Sequence, residues 1–156
     1  MTDNTIDWEF SLFSEFTNDQ LYQLLQLRQK IFIVEQDCAY MDADGQDQQA
    51  IHLLAFDKKN IVAALRLIAA SNTAFKSAEK IVIGRLVVDE AYRGSGLGRI
   101  AITKAIDYVK QYSGASIICL SGQCYLNRFY RDLGFTAKGD VYLEDGIEHQ
   151  LFELML

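Results

Sequence analysis

The residues best suited to chemistry lie in one stretch, Arg85-Leu86-Val87-Val88-Asp89-Glu90-Ala91-Tyr92-Arg93-Gly94-Ser95-Gly96-Leu97-Gly98-Arg99. An apolar, β-branched run stops at an acidic pair, three glycines follow, and an amphipathic pattern begins at Leu97. A strand, a glycine turn and a helix start gather unpaired backbone N–H groups and the positive end of a helix dipole at one point. Those are the makings of a phosphate cradle. Glycine lets the backbone approach phosphate oxygens with no Cβ in the way. The chain has no proline, so every loop residue keeps its N–H. Two nucleotide fingerprints do not fit. The glycines fall at 94, 96 and 98 with arginine at 99, which is not G-x-G-x-x-G, and G-x-x-x-x-G-K-[ST] is absent. The plainer alternative is a sharp strand-to-helix reversal that binds nothing.

The elements that must position this loop are read from periodicity. Strands are expected over 8–13, 51–56, 61–69, 80–88, 115–121, 137–143 and 148–156. Thr17 and Gln20 fit a capping box, and Leu21, Leu24, Leu25, Arg28, Ile31 and Phe32 follow at helical spacing to about Val34. A second helix runs from Leu97 to a stop at Gly114, and a short third spans 124–133 before Gly134. Residues 35–50 and 70–79 are loops. Asp57-Lys58-Lys59-Asn60 and Glu144-Asp145-Gly146-Ile147 are turns. The order β-α-β-β-β-α-β-α-β-β predicts an α/β (α+β) fold. Its expected form is one domain over 1–156, with a central mixed, mostly antiparallel sheet of about seven strands flanked by helices.

Composition narrows the function. Half of the residues are hydrophobic, enough for a sizeable core, and the net charge of −6 is too modest to favour disorder. An isoelectric point near 4.8 argues against nucleic acid as partner and suits a cationic substrate. An anionic ligand then needs a locally basic site, which Arg93, Arg99 and Lys104 can supply. Cys38, Cys119 and Cys124 are odd in number and lack C-x-x-C spacing, so reduced thiols in a cytoplasmic protein are expected. The N-terminal region has no basic stretch of the signal-peptide kind, and no apolar run reaches the ~18–20 residues of a membrane span. Asp42-Ala43-Asp44-Gly45-Gln46-Asp47 invites a calcium reading, but its spacing fails the EF-hand rule, so no metal is expected. Those carboxylates are instead expected to attract a cationic acceptor. A homodimer is compatible with the sequence.

Arg93-x-x-Gly96-x-Gly98, after Leu86-Val87-Val88-Asp89 and Tyr92, closely resembles motif A of the GNAT superfamily of N-acetyltransferases. The resemblance implies that acetyl-CoA is the co-substrate. The backbone of Leu86, Val87 and Val88 would pair with the pantetheine arm. Arg93, Gly94, Ser95, Gly96, Leu97, Gly98 and Arg99 would hold the pyrophosphate. Position 90, often proline in the family, is Glu. Tyr125-Leu126-Asn127-Arg128-Phe129-Tyr130-Arg131-Asp132-Leu133-Gly134-Phe135 resembles motif B. It implies Tyr130 as the general acid for the departing thiolate and puts Asn127 on the cofactor. Gln123 stands where an asparagine is common and would meet the pantetheine amides. Leu27 to Gln36, Asp37-Cys38-Ala39-Tyr40, Asp44-Gly45, His52 and Glu144 to His149 are similar to the ElaA-like branch. The resemblance covers about residues 6 to 156.

Acyl transfer to an amine requires the neutral amine. A lysine-like ammonium with pKa ~10.4 is neutral in about one molecule in 2,500 at pH 7, a cost of roughly 4.6 kcal/mol. A base, or a site that lowers the amine pKa, must offset this. The thioester oxygen needs a donor, in this family usually the strand N–H near Val87. The expected reaction is direct attack by a small primary amine in a ternary complex. Glu35 and His52 are the base candidates, each with an ordinary structural role as its alternative, and His149 is a third. Arg85 would orient a substrate carboxylate or sit in a structural ion pair. Three other functions compete: a non-catalytic acyl-CoA sensor, a protein or peptide acetyltransferase, and a relative of the acyl-homoserine-lactone synthases, which the stretch Phe32 to Gln36 faintly resembles.

Overall fold

A computed structural model describes residues 5–73 and 77–156. Among the described residues the seven strands are β1 (Ile6–Leu12), β2 (Ile51–Asp57), β3 (Asn60–Ala69), β4 (Lys80–Val88), β5 (Ile117–Gln123), β6 (Thr136–Glu144) and β7 (Ile147–Met155). The helices are α1 (Asn18–Arg28), α2 (Leu97–Tyr112) and α3 (Asn127–Asp132). The strands form one sheet in the order β1-β2-β3-β4-β5-β7-β6. It is mixed: β4 runs parallel to β5, whereas β1 with β2, β5 with β7 and β6 with β7 are antiparallel. The expected element order and mixed sheet are those observed. Part of the expected 70–79 loop lies outside the described residues.

Contacts divide the chain into two compact units. One holds residues up to Arg66 and Arg85–Ala101; the other holds Leu67–Gly84 and Ile102–Leu156. In the first unit the Thr17 capping box forms both of its bonds, Gln20 N–H to Thr17 Oγ1 at 3.1 Å and Thr17 N–H to Gln20 Oε1 at 3.0 Å. α1 then opens into a π-helical turn over Gln29–Glu35, so the helical path reaches the expected end near Val34 with altered geometry. Leu24, Leu27 and Ile31 bury their apolar stripe against Leu54, Ile61, Ala64 and Val87. Each such side chain is worth about 1.5–3 kcal/mol. A second cluster, Ala55, Val62, Ala63 and Leu97, anchors the first residue of α2.

In the second unit β5 begins two residues later than its apolar run suggests. Ser116 and Ile117 first donate to the Glu79 carbonyl. Gly114 is not the left-handed cap expected after α2. Ser113 closes that helix instead, its N–H and hydroxyl both donating to the Val109 carbonyl at 3.0 and 2.9 Å. Gly134 does take φ +94° after α3, and the β6–β7 turn has Asp145 at φ +50° and Gly146 at φ +79°, the two-residue hairpin form. Cys119 is buried, which pushes its thiol up to about 11, and among the described residues no disulfide joins the three cysteines.

Candidate functional site

The glycine loop is built from its flanks inward. The Asp89 N–H donates to the Val62 carbonyl at 2.8 Å, tying the end of β4 to β3. The Asp89 carboxylate accepts from Ala91 N–H at 3.0 Å, capping the single turn Glu90–Tyr92. Tyr92 donates its hydroxyl to Asp57, and Ser95 donates to the Tyr92 carbonyl. Gly94 and Gly96 then adopt φ +77° and +87°, conformations an L side chain resists. An added Cβ at either would meet open space, so φ and not crowding selects glycine here. The Gly96 carbonyl accepts from Ile100 N–H at 3.0 Å and starts α2. No acidic residue occupies the first turn of that helix, so nothing there repels an anion. These features fit a phosphate-bearing ligand.

Arg93, expected on the pyrophosphate, faces Glu35 at the end of the π-helical turn. Their oxygens and nitrogens meet at 2.6 and 2.9 Å. The hydrogen bond from Arg93 holds the Glu35 carboxyl below its ordinary range, although both side chains are well exposed. Lys30 pairs with Asp89 at 3.0 Å. Two ion pairs thus join the π-helical turn to the start of the glycine loop.

The Asp42–Asp47 loop is not an open acidic surface. Arg28, 1% exposed, donates from Nε to Asp42 and from Nη1 to Asp47, both at 2.8 Å. Arg66, 5% exposed on β3, binds Asp44 at 2.5 Å and Asp47 at 2.8 Å. Arg85 reaches Asp42 at 2.8 Å and Asp44 at 3.3 Å. Three arginines therefore neutralise three aspartates, which overturns the expectation that this loop attracts a cation. Burial pushes the Asp44 carboxyl up, but hydrogen bonds from Arg66 and the Gln46 N–H outweigh it, leaving it at about 2. The loop's signal was present in sequence: Arg28 sits at core spacing on α1, and Arg66 interrupts an apolar strand.

Arg85 thus stands in an ion pair, with φ +54° in mid-strand and the Tyr40 ring 5.8 Å from its guanidinium. That backbone conformation is strained for a side chain of this size, and the network holds it. His52 is 1% exposed. Its Nε2 donates to the Asp47 carbonyl at 2.9 Å, the Phe16 ring lies 5.0 Å away tilted by 59°, and burial lowers its pKa. Its geometry is that of a residue fixing the aspartate loop.

Tyr130 on α3 is 6% exposed among Phe129, Phe135 and Phe152, with ring centroids 5.2, 6.3 and 4.9 Å away. Its ring lies on Gly122 of β5, where an added Cβ would come within 2.5 Å of Cε2. Burial, with a smaller contribution from Tyr125, pushes its phenol up to about 12. Gln123 ends β5 opposite His149, and Asn127 opens α3. Among the described residues no group of three or more His, Cys, Asp or Glu could hold a metal ion.

A strand, a left-handed glycine loop and a helix start, set in a sheet of this order, are the arrangement that the resemblance to N-acetyltransferases implies. The GNAT acetyltransferase domain model matches residues 14–156. Protein ElaA of Escherichia coli K12 is 36% identical over 146 residues, covering 92% of this chain and 93% of that protein. The chain belongs to the GNAT acetyltransferase family, in its ElaA-like branch. The crystal structure of E. coli ElaA superposes with a TM-score of 0.87 at 34% identity, covering 96% of this chain and 99% of that one. An acyl-CoA N-acyltransferase from Pseudomonas aeruginosa gives 0.87 at 35% identity, with the same coverage. The acyl-homoserine-lactone synthase LasI gives 0.78 at 12% identity over 97% of this chain and 90% of that one, a likeness of fold alone.

Proposed function

We propose that this acyltransferase moves the acetyl group of acetyl-CoA to a small primary amine by direct attack in a ternary complex, residues 1–156 acting as one catalytic domain in the cytoplasm. The observation that carries the reading is the glycine loop: two left-handed glycines, open space around them, and a helix start free of acidic side chains. Leu86, Val87 and Val88 would hold the pantetheine arm and the loop from Arg93 to Arg99 the phosphates. Gln123 and Asn127 supply side-chain amides suited to the remainder of the cofactor. Acetyl-CoA would bring the activated thioester, and the chain's own groups would do the rest. The Val87 N–H would stabilise negative charge on the thioester oxygen, and the Tyr130 hydroxyl would protonate the leaving sulfur. The P. aeruginosa relative, an acyl-CoA N-acyltransferase, supports an acyl-CoA donor and transfer to nitrogen. No helix among the described residues is long and apolar enough to cross a membrane.

The test is a panel of small amines and peptides with acetyl-CoA, followed by free-thiol release. Small amines should turn over and peptides should not. Acetyl-CoA binding without turnover on any amine would favour a sensor. Gly96→Val should abolish acetyl-CoA binding by calorimetry, because valine at φ +87° is strained and its side chain would project toward the phosphates. Unchanged affinity would remove the loop from the cofactor site.

A further inference from the structure

Gly122 stands near the end of β5 in ordinary backbone, outside the left-handed region that Gly94, Gly96 and Gly134 occupy. Its conformation is open to any residue, and a glycine weakens a strand interior because it orders more backbone and packs no side chain. Space explains the glycine. A Cβ built there would lie 2.5 Å from Cε2 and 3.1 Å from Cδ2 of Tyr130, and 3.1 Å from Cε2 of Phe152. All three atoms belong to rings held in a packed interior, which cannot bend aside as a flexible chain end does. Register brings these rings together. Leu120 of β5 lies opposite Phe152 of β7, and Gly122 opposite Gln150. Alternation therefore puts Leu120, Gly122 and Phe152 on one face of the sheet and Ser121 and Gln123 on the other.

The rest of the seat is aromatic. Phe129 and Phe135 meet the Tyr130 ring edge to face, and Phe152 meets it with planes 39° apart. The backbone beneath the ring is fixed as well: the Tyr130 carbonyl accepts from the Leu133 and Phe135 N–H groups, both at 3.1 Å. Among the described residues nothing hydrogen-bonds the Tyr130 hydroxyl, and only burial and Tyr125 act on the phenol. Ring packing alone therefore sets where that oxygen stands, and Gly122 is the floor of the packing. All of these residues lie within Ile102–Leu156, inside one compact unit.

We propose that Gly122 is a positioning residue for acyl transfer: its missing side chain fixes the depth and tilt of the Tyr130 ring, and with them the place from which the hydroxyl delivers its proton. This rests on the acid role proposed for Tyr130. One methyl group added at position 122 lifts the ring off β5. The ring must retreat by about 1 Å to turn a 2.5 Å approach into an ordinary contact. It cannot retreat toward Phe152, because the same methyl group meets that ring too. A shift of this size carries a donor out of the narrow distance range in which protons pass between heavy atoms.

The test is a double-mutant cycle on the whole protein with an amine that turns over. Gly122→Ala should lower kcat about 10- to 100-fold, with acetyl-CoA affinity retained. In a Tyr130→Phe background the same substitution should cost no further kcat, because the proton donor is already gone. The phenylalanine ring still carries Cε2, so the melting temperature should fall equally in both backgrounds, which separates stability from rate. In 13C-tyrosine-labelled protein the Tyr130 ring signal, identified by its loss in Tyr130→Phe, should shift in Gly122→Ala. Should Gly122→Ala fail to fold, Phe152→Leu loosens the same seat from its other wall and is read by the same cycle. Equal losses of kcat in the two backgrounds, wild-type kcat in Gly122→Ala, or an unmoved ring signal would overturn the proposal. Wild-type rates in Tyr130→Phe would instead count against the acid role, and the ring signal would still decide whether Gly122 sets the ring.

Discussion

Tyr130 and Glu35 show how differently neighbours treat an ionisable side chain. Tyr130 is walled by aromatic rings, and burial pushes its phenol up to about 12. It therefore keeps its proton throughout the working range, as the proposed acid role requires. Tyr130→Phe should lower kcat by about 10- to 100-fold with little change in acetyl-CoA affinity. Wild-type rates in that variant from about pH 6 to 9 would reject the acid role. Glu35 is exposed and bound to Arg93, the residue expected on the pyrophosphate. A carboxylate so placed repels an incoming phosphate, and its lowered pKa makes it a poor base. Glu35→Gln should tighten acetyl-CoA binding about two- to fivefold, the span of an exposed ion pair, and the gain should vanish when Arg93 is also replaced. Weaker binding in Glu35→Gln would show that the pair presents Arg93 to the ligand and does not compete with it. Glu35 and Arg93 are 58 positions apart, so no reading of local spacing could pair them.

At the level of elements, the buried network fixes α1, the Asp42–Asp47 loop, β3 and β4 to one another through charge. Arg28→Ala would leave Asp42 with Arg85 alone and Asp47 with Arg66 alone, removing two buried charged hydrogen bonds and opening a cavity, a change that costs about 2–3 kcal/mol. A large fall in melting temperature with preserved far-UV dichroism is expected. Acid should act through the same elements. The His52 pKa is lowered in the fold, so the unfolded chain takes up a proton first, and stability declines as pH falls below about 6.5. Asp44 and Asp47 are also lowered, so their contribution is present above about pH 4 and is lost as pH falls toward 2. Melting curves should show both declines, and His52→Gln should remove the first. A melting temperature flat from about pH 7 to 5 would contradict the burial of His52. The strands around this network were legible in sequence, β4 to the residue, because a β-branched apolar run between Lys80 and the acidic pair Asp89-Glu90 marks its ends. The network was not. Arg28 reads as an irregularity in an apolar stripe until the loop carboxylates fold onto it.

For the molecule as a whole, the net charge of −6 favours a cationic acceptor over a neutral one. With a cationic amine, kcat/KM should fall as salt rises from about 20 to 300 mM, because the Debye length shrinks below the reach of the mean field. A neutral arylamine should show little dependence, and equal salt slopes for the two would rule out steering. Family membership and the order of strands and helices follow from the sequence alone. Hydrophobic period, glycine placement and turn residues are local properties, and they agree along the chain. So too does the glycine loop, since Gly94 to Gly98 lie within one short stretch of chain. The partners of each charge were decided only by the tertiary structure. Ion pairs and hydrogen bonds depend on strand register and on which face each side chain takes. Three arginines therefore quench an acidic loop that looked open, and the hairpin turn at Asp145 and Gly146 sets His149 against Glu144.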